Sequence, residues 1–241
     1  MTLGIRRLSK GVCYVQIFYS ASVFFFINNS LIGYELLMKK KTEQGWRPPH
    51  NFSDVPSHTM ASVLIATTKL LSLKIGSVSV NINRNQLMDP EVRTAIIEAQ
   101  RISRPLRLVV ELTEDTPDQN WPNSQLVPLI KDFIDYGMDF SLDDCGTGVN
   151  QLENIKELVP LASEIKFAIQ NFGEKLRDPD IESKVIFWRD FSRKHNLRFI
   201  LEGIEDDNDD QLADSLEIDL RQGYYYGKPR LLKLEPDDDK F

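Results

Sequence analysis

The chain is poor in the residues that build covalent or soft-metal sites. It has two cysteines, Cys13 and Cys145, and three histidines. The cysteines stand far apart with no C-x-x-C spacing, which argues against a disulfide framework or structural zinc and fits a reducing cytoplasm. Neither G-x-G-x-x-G nor a P-loop occurs, so the common glycine-rich phosphate cradles are missing. Positive charge is short as well. With 29 Lys and Arg against 36 Asp and Glu, the net charge is −7, which disfavours a general grip on a nucleic-acid polymer. An anionic ligand would need locally placed cations.

An unbroken hydrophobic run is also lacking. Arg6, Arg7 and Lys10, followed by apolar Val12 to Ile27, imitate a secretory signal or membrane anchor. Gln16, Ser20 and Ser22 interrupt that run. Its aromatic and β-branched content favours two strands in a hairpin, turning at Asn28-Asn29-Ser30. No membrane insertion is expected.

What is present is a regular alternation of periods. Helical spacing covers Met60 to Leu73, Pro90 to Ile102, Ser124 to Tyr136 with Gly137 as its cap, Gln151 to Leu158, Ile181 to His195 and Asp209 to Leu216. Between them lie strand-like runs: Gly76 to Asn83, Leu106 to Leu112, Met138 to Leu142, Ser163 to Ile169, Leu197 to Leu201 and Asp219 to Tyr226. Thr42 to Pro56, with three prolines, reads as an irregular loop. No ligand role is expected of His50 or His58, and His195 suits the negative end of a helix. The acidic runs Glu205 to Asp210 and Asp237 to Asp239 read as solvated surface.

No linker-like break follows Pro56, and 241 residues with 41% hydrophobic content suit one domain over 1–241. The expected architecture is a mostly parallel sheet closed into a TIM-type (β/α)8 barrel with an N-terminal β-hairpin. An open doubly wound sheet is the alternative, weakened by the missing glycine-rich turn.

The stretch Phe140 to Gly148, F-S-L-D-D-C-G-T-G, organises the functional reading. Asp143 and Asp144 stand where an apolar run meets a glycine-rich turn, and adjacent carboxylates there repel unless a cation lies between them. Other strand-like runs end alike, offering Glu35, Asn81, Glu111 and Glu202 as further oxygen donors, with Lys166 and Gln222 nearby. Hard oxygen ligands without His or Cys point to Mg²⁺ or Mn²⁺. Five carboxylates are too much charge for one ion, so two ions and phosphoester hydrolysis are expected.

Seven short motifs stand in order: G-Y-E-L-L-M-K at Gly33, V-N-I-N at Val80, E-L-T-E at Glu111, D-D-C-G-T-G at Asp143, K-F-A at Lys166, E-G-I-E at Glu202 and Q-G-Y at Gln222, with Pro229 beyond. Through them, from about Tyr14 to Pro229, the chain resembles the EAL-domain family of cyclic di-GMP phosphodiesterases. It implies a modified (β/α)8 barrel that opens cyclic di-GMP to the linear dinucleotide pGpG. Glu35, Asn81, Glu111 and Asp143 would hold one ion, and Asp143, Asp144 and Glu202 the other. Lys166 would orient or deprotonate the attacking water, with Glu35 and Gln222 close by. Glu114 would anchor the loop at Cys145 to Val149. Lys39, Leu37 and Gln222 would meet the substrate, and a homodimer is implied.

Departures from the family pattern are Lys39 for Arg, Ala168 for an acidic residue, and Cys145, Val149 and Asn150-Gln151 in the loop. They support an alternative: a degenerate domain that binds cyclic di-GMP without cleaving it, or a protein-binding adaptor. A barrel enzyme with Lys166 as an amine nucleophile is a third reading. No G-G-D-E-F cyclase signature occurs, and the stretch before Glu35 is too short for a sensor domain, so regulation is expected through partners, dimerisation or expression.

Overall fold

The computed structural model describes residues 17–25, 30–49, 55–71 and 75–232. The basic N-terminal segment, Cys13, Asn28-Asn29, His50 and Asp237 to Asp239 lie outside the described residues. The apolar N-terminal run forms β1 (Ile17–Phe25), which pairs antiparallel with β2 (Leu31–Thr42) as the expected hairpin. A short β3 (Gly45–Arg47) folds back on β2, so the stretch read as irregular loop holds a second small hairpin. The reason is local: Gly45 takes a φ of 97°, and the Thr42 hydroxyl donates to its carbonyl at 2.7 Å.

Beyond it, α1 (Ser57–Leu71) leads to β4 (Ser77–Ile82), α2 (Arg84–Met88), α3 (Pro90–Ser103) and β5 (Arg107–Leu112). Next come α4 (Asn123–Asp135), β6 (Asp139–Leu142), α5 (Leu152–Ile155) and β7 (Glu164–Ala168). Last are α6 (Pro179–Lys194), β8 (Arg198–Glu202), α7 (Asp207–Ser215), β9 (Leu220–Gln222) and β10 (Arg230–Leu231). Asp89 and Asp178 accept from the first turns of α3 and α6, each with Pro at the first helical position, where its missing N–H costs nothing. Gly137 ends α4 at a φ of 84°, its N–H donating to the Ile134 carbonyl at 2.8 Å.

Strands β2, β4, β5, β6, β7, β8 and β9 pair in parallel, and β1 closes the circle antiparallel to both β9 and β2. The result is the modified eight-stranded barrel, with β3 and β10 as marginal additions. Phe133 and Ile130 of α4 and Val185 and Trp188 of α6 bury their side chains, part of the apolar cluster beneath the helical layer.

Three further spans differ from the sequence reading. The last barrel strand stops at Gln222 rather than Tyr226, because Gly223 lies against the Ile204 backbone and the Tyr225 N–H donates to the Ile204 carbonyl at 3.1 Å, turning the chain. The Gln151 to Leu158 helix shrinks to a single turn, Leu152–Ile155. Helix α2 was absent from the periodicity because it is five residues long; a reciprocal cap between Asn83 and Gln86 makes it possible. Among the described residues, no helix is long and apolar enough to cross a membrane.

Candidate active site

The C-terminal ends of the barrel strands converge on one ammonium. Lys166 of β7 is fully buried, with its Nζ 2.5 Å from Glu202 Oε1, 3.0 Å from Glu111 Oε2, 3.3 Å from Asp143 Oδ1 and 3.6 Å from Glu35 Oε2. Strands β8, β5 and β2 and the residue just past β6 supply these carboxylates. Parallel pairing sets Asn81 level with Glu111 and Glu202 level with Gln222, so residues far apart in sequence reach one rim. Glu35 accepts from Asn81 Nδ2 at 2.7 Å and from Gln222 Nε2 at 2.6 Å.

Charge in the cluster is unbalanced. Burial pushes Glu111, Asp143 and Glu202 up from the ordinary carboxylate range, and their neighbours' negative charge adds to it; Lys166 opposes this only in part. Burial would raise Glu35 too, but Lys166, Gln222 and Asn81 together hold it below its ordinary value. The carboxylates around Lys166 outweigh its own desolvation and keep it charged. Asp144, half-buried beside Asp143, is pushed up to about 7 by burial and that neighbour.

Several polar atoms face inward without hydrogen-bond partners: Asn81 Oδ1, Glu111 Oε1 and Gln222 Oε1. Asp143, Asp144 and Glu202 each present an oxygen within 4.8 Å of the others. All these atoms are hard acceptors, and one lysine cannot neutralise them; the donor set fits divalent cations such as Mg²⁺ or Mn²⁺.

Above the cluster opens a cavity of about 470 Å³. Glu35, Leu37, Asn81, Asp143, Asp144, Glu202, Gln222 and Glu114 line it. Lys166 and Glu111 are fully buried and are not part of the lining. Lys39, half-buried further along β2, is not part of the lining. Ala168, 1% exposed and level with Glu202, offers no oxygen. The glycine-rich loop is held by contact: Gly148 has a φ of 44°, and a Cβ there would stand 2.2 Å from the Glu114 carbonyl. That carbonyl also accepts from the Val149 N–H at 3.0 Å. Gly146, at a φ of 92°, lies under Trp188 of α6.

Sequence reading did not single out Gln86, Thr113, Asp115 or Gln170, which also line the cavity. A signal existed, since each falls just beyond a strand end, where barrel sites collect. Asn171, whose side chain hydrogen-bonds Asp144, follows Gln170 beyond β7 and carries the same cue.

Comparison with known proteins places this geometry. Cyclic di-GMP phosphodiesterase NbdA of Pseudomonas aeruginosa is 28% identical over 171 residues, covering 70% of this chain and 21% of NbdA. The chain spans about a fifth of the length of the curated relatives it matches. The PaMucR phosphodiesterase in complex with c-di-GMP superposes with a TM-score of 0.73 at 22% identity, covering 89% of this chain and 92% of that one. The EAL-domain protein YkuI of Bacillus subtilis, in complex with c-di-GMP and calcium, gives 0.70 at 19% identity, covering 92% of this chain and 57% of that one. Residues 15–229 match the EAL domain itself, and the chain belongs to the EAL domain family.

Proposed function

We propose that the chain hydrolyses cyclic di-GMP to linear pGpG with the help of two divalent ions. The observation that carries this is the buried acid cluster around Lys166, under-neutralised and open to a cavity of about 470 Å³. Glu35, Asn81, Glu111 and Asp143 would hold one Mg²⁺ or Mn²⁺, and Asp143, Asp144 and Glu202 the other. When bound, such ions polarise a phosphate oxygen and lower the pKa of water.

The chain's own groups account for the rest. Lys166, kept charged by its carboxylates and closed off from solvent, acts on the attacking water through the carboxylates it holds in place rather than by taking its proton. A carboxylate of the cluster receives that proton. Water oxygen joins phosphorus, the bond to the 3′ oxygen breaks, and the departing oxygen takes a proton from solvent in the open cavity. Gln222 and Asn81 fix Glu35 through the two hydrogen bonds above, while Glu114 braces the loop that carries Asp144. A cytoplasmic, homodimeric protein organised as one domain fits this reading.

Ala168 favours a second reading, a receptor that binds cyclic di-GMP without cleaving it, since the position beside Glu202 supplies no oxygen. One assay separates the two. Purified protein is incubated with cyclic di-GMP and Mn²⁺ or Mg²⁺ and pGpG is measured, with Glu35→Ala as control. Product from the wild type alone supports hydrolysis. Binding without product gives the receptor; neither one removes both.

A further inference from the structure

Three adjacent strand ends carry most of the candidate cation ligands: Asn81 on β4, Glu111 on β5, and Asp143 with Asp144 at β6. One buried side-chain pair ties all three together. Arg84 of α2, two residues past β4 and 5% exposed, donates from Nη1 to the Thr113 carbonyl at 3.0 Å and from Nη2 to Asn150 Oδ1 at 2.9 Å. Asn150, fully buried, donates from Nδ2 to the Leu112 carbonyl at 2.9 Å and to the Asp143 carbonyl at 2.5 Å. Its own backbone closes the glycine-rich turn, donating to Thr147 and accepting from the Gly146 N–H, each at 2.9 Å.

The contact to Asp143 matters most. That carbonyl belongs to the peptide joining Asp143 to Asp144, so the amide of Asn150 fixes the plane from which both carboxylates project. Asp144 has a φ of 47°, a left-handed conformation that costs a non-glycine residue free energy and that the Asn150 contact helps to hold. Among the described residues no carboxylate lies at ion-pair distance from Arg84, and its guanidinium donates to the Thr113 carbonyl and to Asn150.

We propose that Arg84 and Asn150 are positioning residues that set the Asp143–Asp144 peptide and thereby the divalent-cation affinity of the site. Neither lines the cavity. The inference rests on reading the cluster as a cation centre, and its readout is cation binding rather than turnover.

The test titrates the full chain with Mn²⁺ and follows the free ion by electron paramagnetic resonance. Asn150→Asp keeps shape and the partner of Arg84 but turns an acceptor toward two carbonyls. Arg84→Lys keeps charge but loses the two-armed fork. Phe133→Leu, in the buried core at the far end of α4, controls for lost stability. Asn150→Asp should weaken Mn²⁺ binding about tenfold or more, as loss of a group supporting metal ligands does, Arg84→Lys measurably but less because the charge stays, and Phe133→Leu should stay within about twofold of wild type.

Wild-type affinity in Asn150→Asp, or equal weakening in Phe133→Leu, overturns the proposal. Should Asn150→Asp fail to fold, Arg84→Lys decides, and unchanged affinity there overturns it. A wild type that binds no Mn²⁺ overturns the cation reading and this proposal with it. Mn²⁺ binding without pGpG formation removes the hydrolase reading and leaves this one standing.

Discussion

The two rims of the barrel handle buried charge in opposite ways. At the N-terminal rim, Glu164 pairs with Arg198 at 2.8 Å, Asp139 with Arg198 at 3.4 Å and Asp139 with Arg107 at 3.4 Å. Two carboxylates meet two guanidiniums, and solvent reaches both arginines. At the C-terminal rim, Glu35, Glu111, Asp143 and Glu202 share one ammonium that no solvent reaches, with Asp144 adding a further carboxylate. A network that closes on itself stabilises modestly and needs nothing more. One left this far from neutral costs stability unless a cation offsets it.

The largest effect should come from widening that deficit. Lys166→Met removes the cation around which the four carboxylates gather, and leaving buried charges uncompensated costs about 3 kcal/mol or more. Urea unfolding in EDTA reads the loss, and pGpG formation should vanish. Mn²⁺ should restore more stability to the variant than to wild type. An unchanged midpoint in EDTA would mean that the carboxylates carry no charge for Lys166 to offset.

Closing the deficit is the next test. Divalent ions that bind only the folded chain stabilise it by about 2.7 kcal/mol at a hundredfold excess over Kd. Melting temperature should therefore rise with Mn²⁺ and fall with EDTA. A parallel rise in Asp143→Asn would place the ion elsewhere.

Acidity offers a third handle. Asp144 is pushed up to about 7, so the folded chain keeps a proton there that the unfolded chain has released above its ordinary carboxylate pKa. That contribution is complete below about pH 4 and is lost as pH climbs through about 7. Glu111, Asp143 and Glu202 slope the same way, and Glu35 the opposite way. Without metal, the protein should melt lower at pH 7.5 than at pH 5.5, and Asp144→Asn should flatten that difference. A rise over the same interval would contradict the charge assignment.

The contrast between the rims also governs how much could be read beforehand. The acidic rim was legible because barrel strands are apolar runs, and a polar residue at the end of one stands out; Asn81, Glu111, Asp143 and Glu202 were found that way. Convergence on Lys166 was not, since the ion pair to Glu111 joins residues 55 apart and only strand register brings them together. The Arg84–Asn150 contact, 66 residues apart, hides for the same reason. Helix α2 is too short for a period, and Arg84 reads as an ordinary surface cation. The end of β9 was overextended because Tyr224, Tyr225 and Tyr226 have strong strand propensity, which the packing of Gly223 on Ile204 overrides.

The balanced rim supplies the smallest and sharpest comparison. Arg107 is the most exposed member of that network, its pair to Asp139 is long at 3.4 Å, and Asp139 keeps Arg198 at the same distance when Arg107 is cut back. An exposed pair of this kind contributes at most about 1 kcal/mol, and salt screens it further. Arg107→Ala should thus leave the urea midpoint nearly unmoved and cyclic di-GMP turnover within error, at both low and high ionic strength. If it instead weakened Mn²⁺ binding, the barrel interior would be transmitting charge from Glu164 to Lys166, two residues along β7, and the rims could no longer be treated as separate.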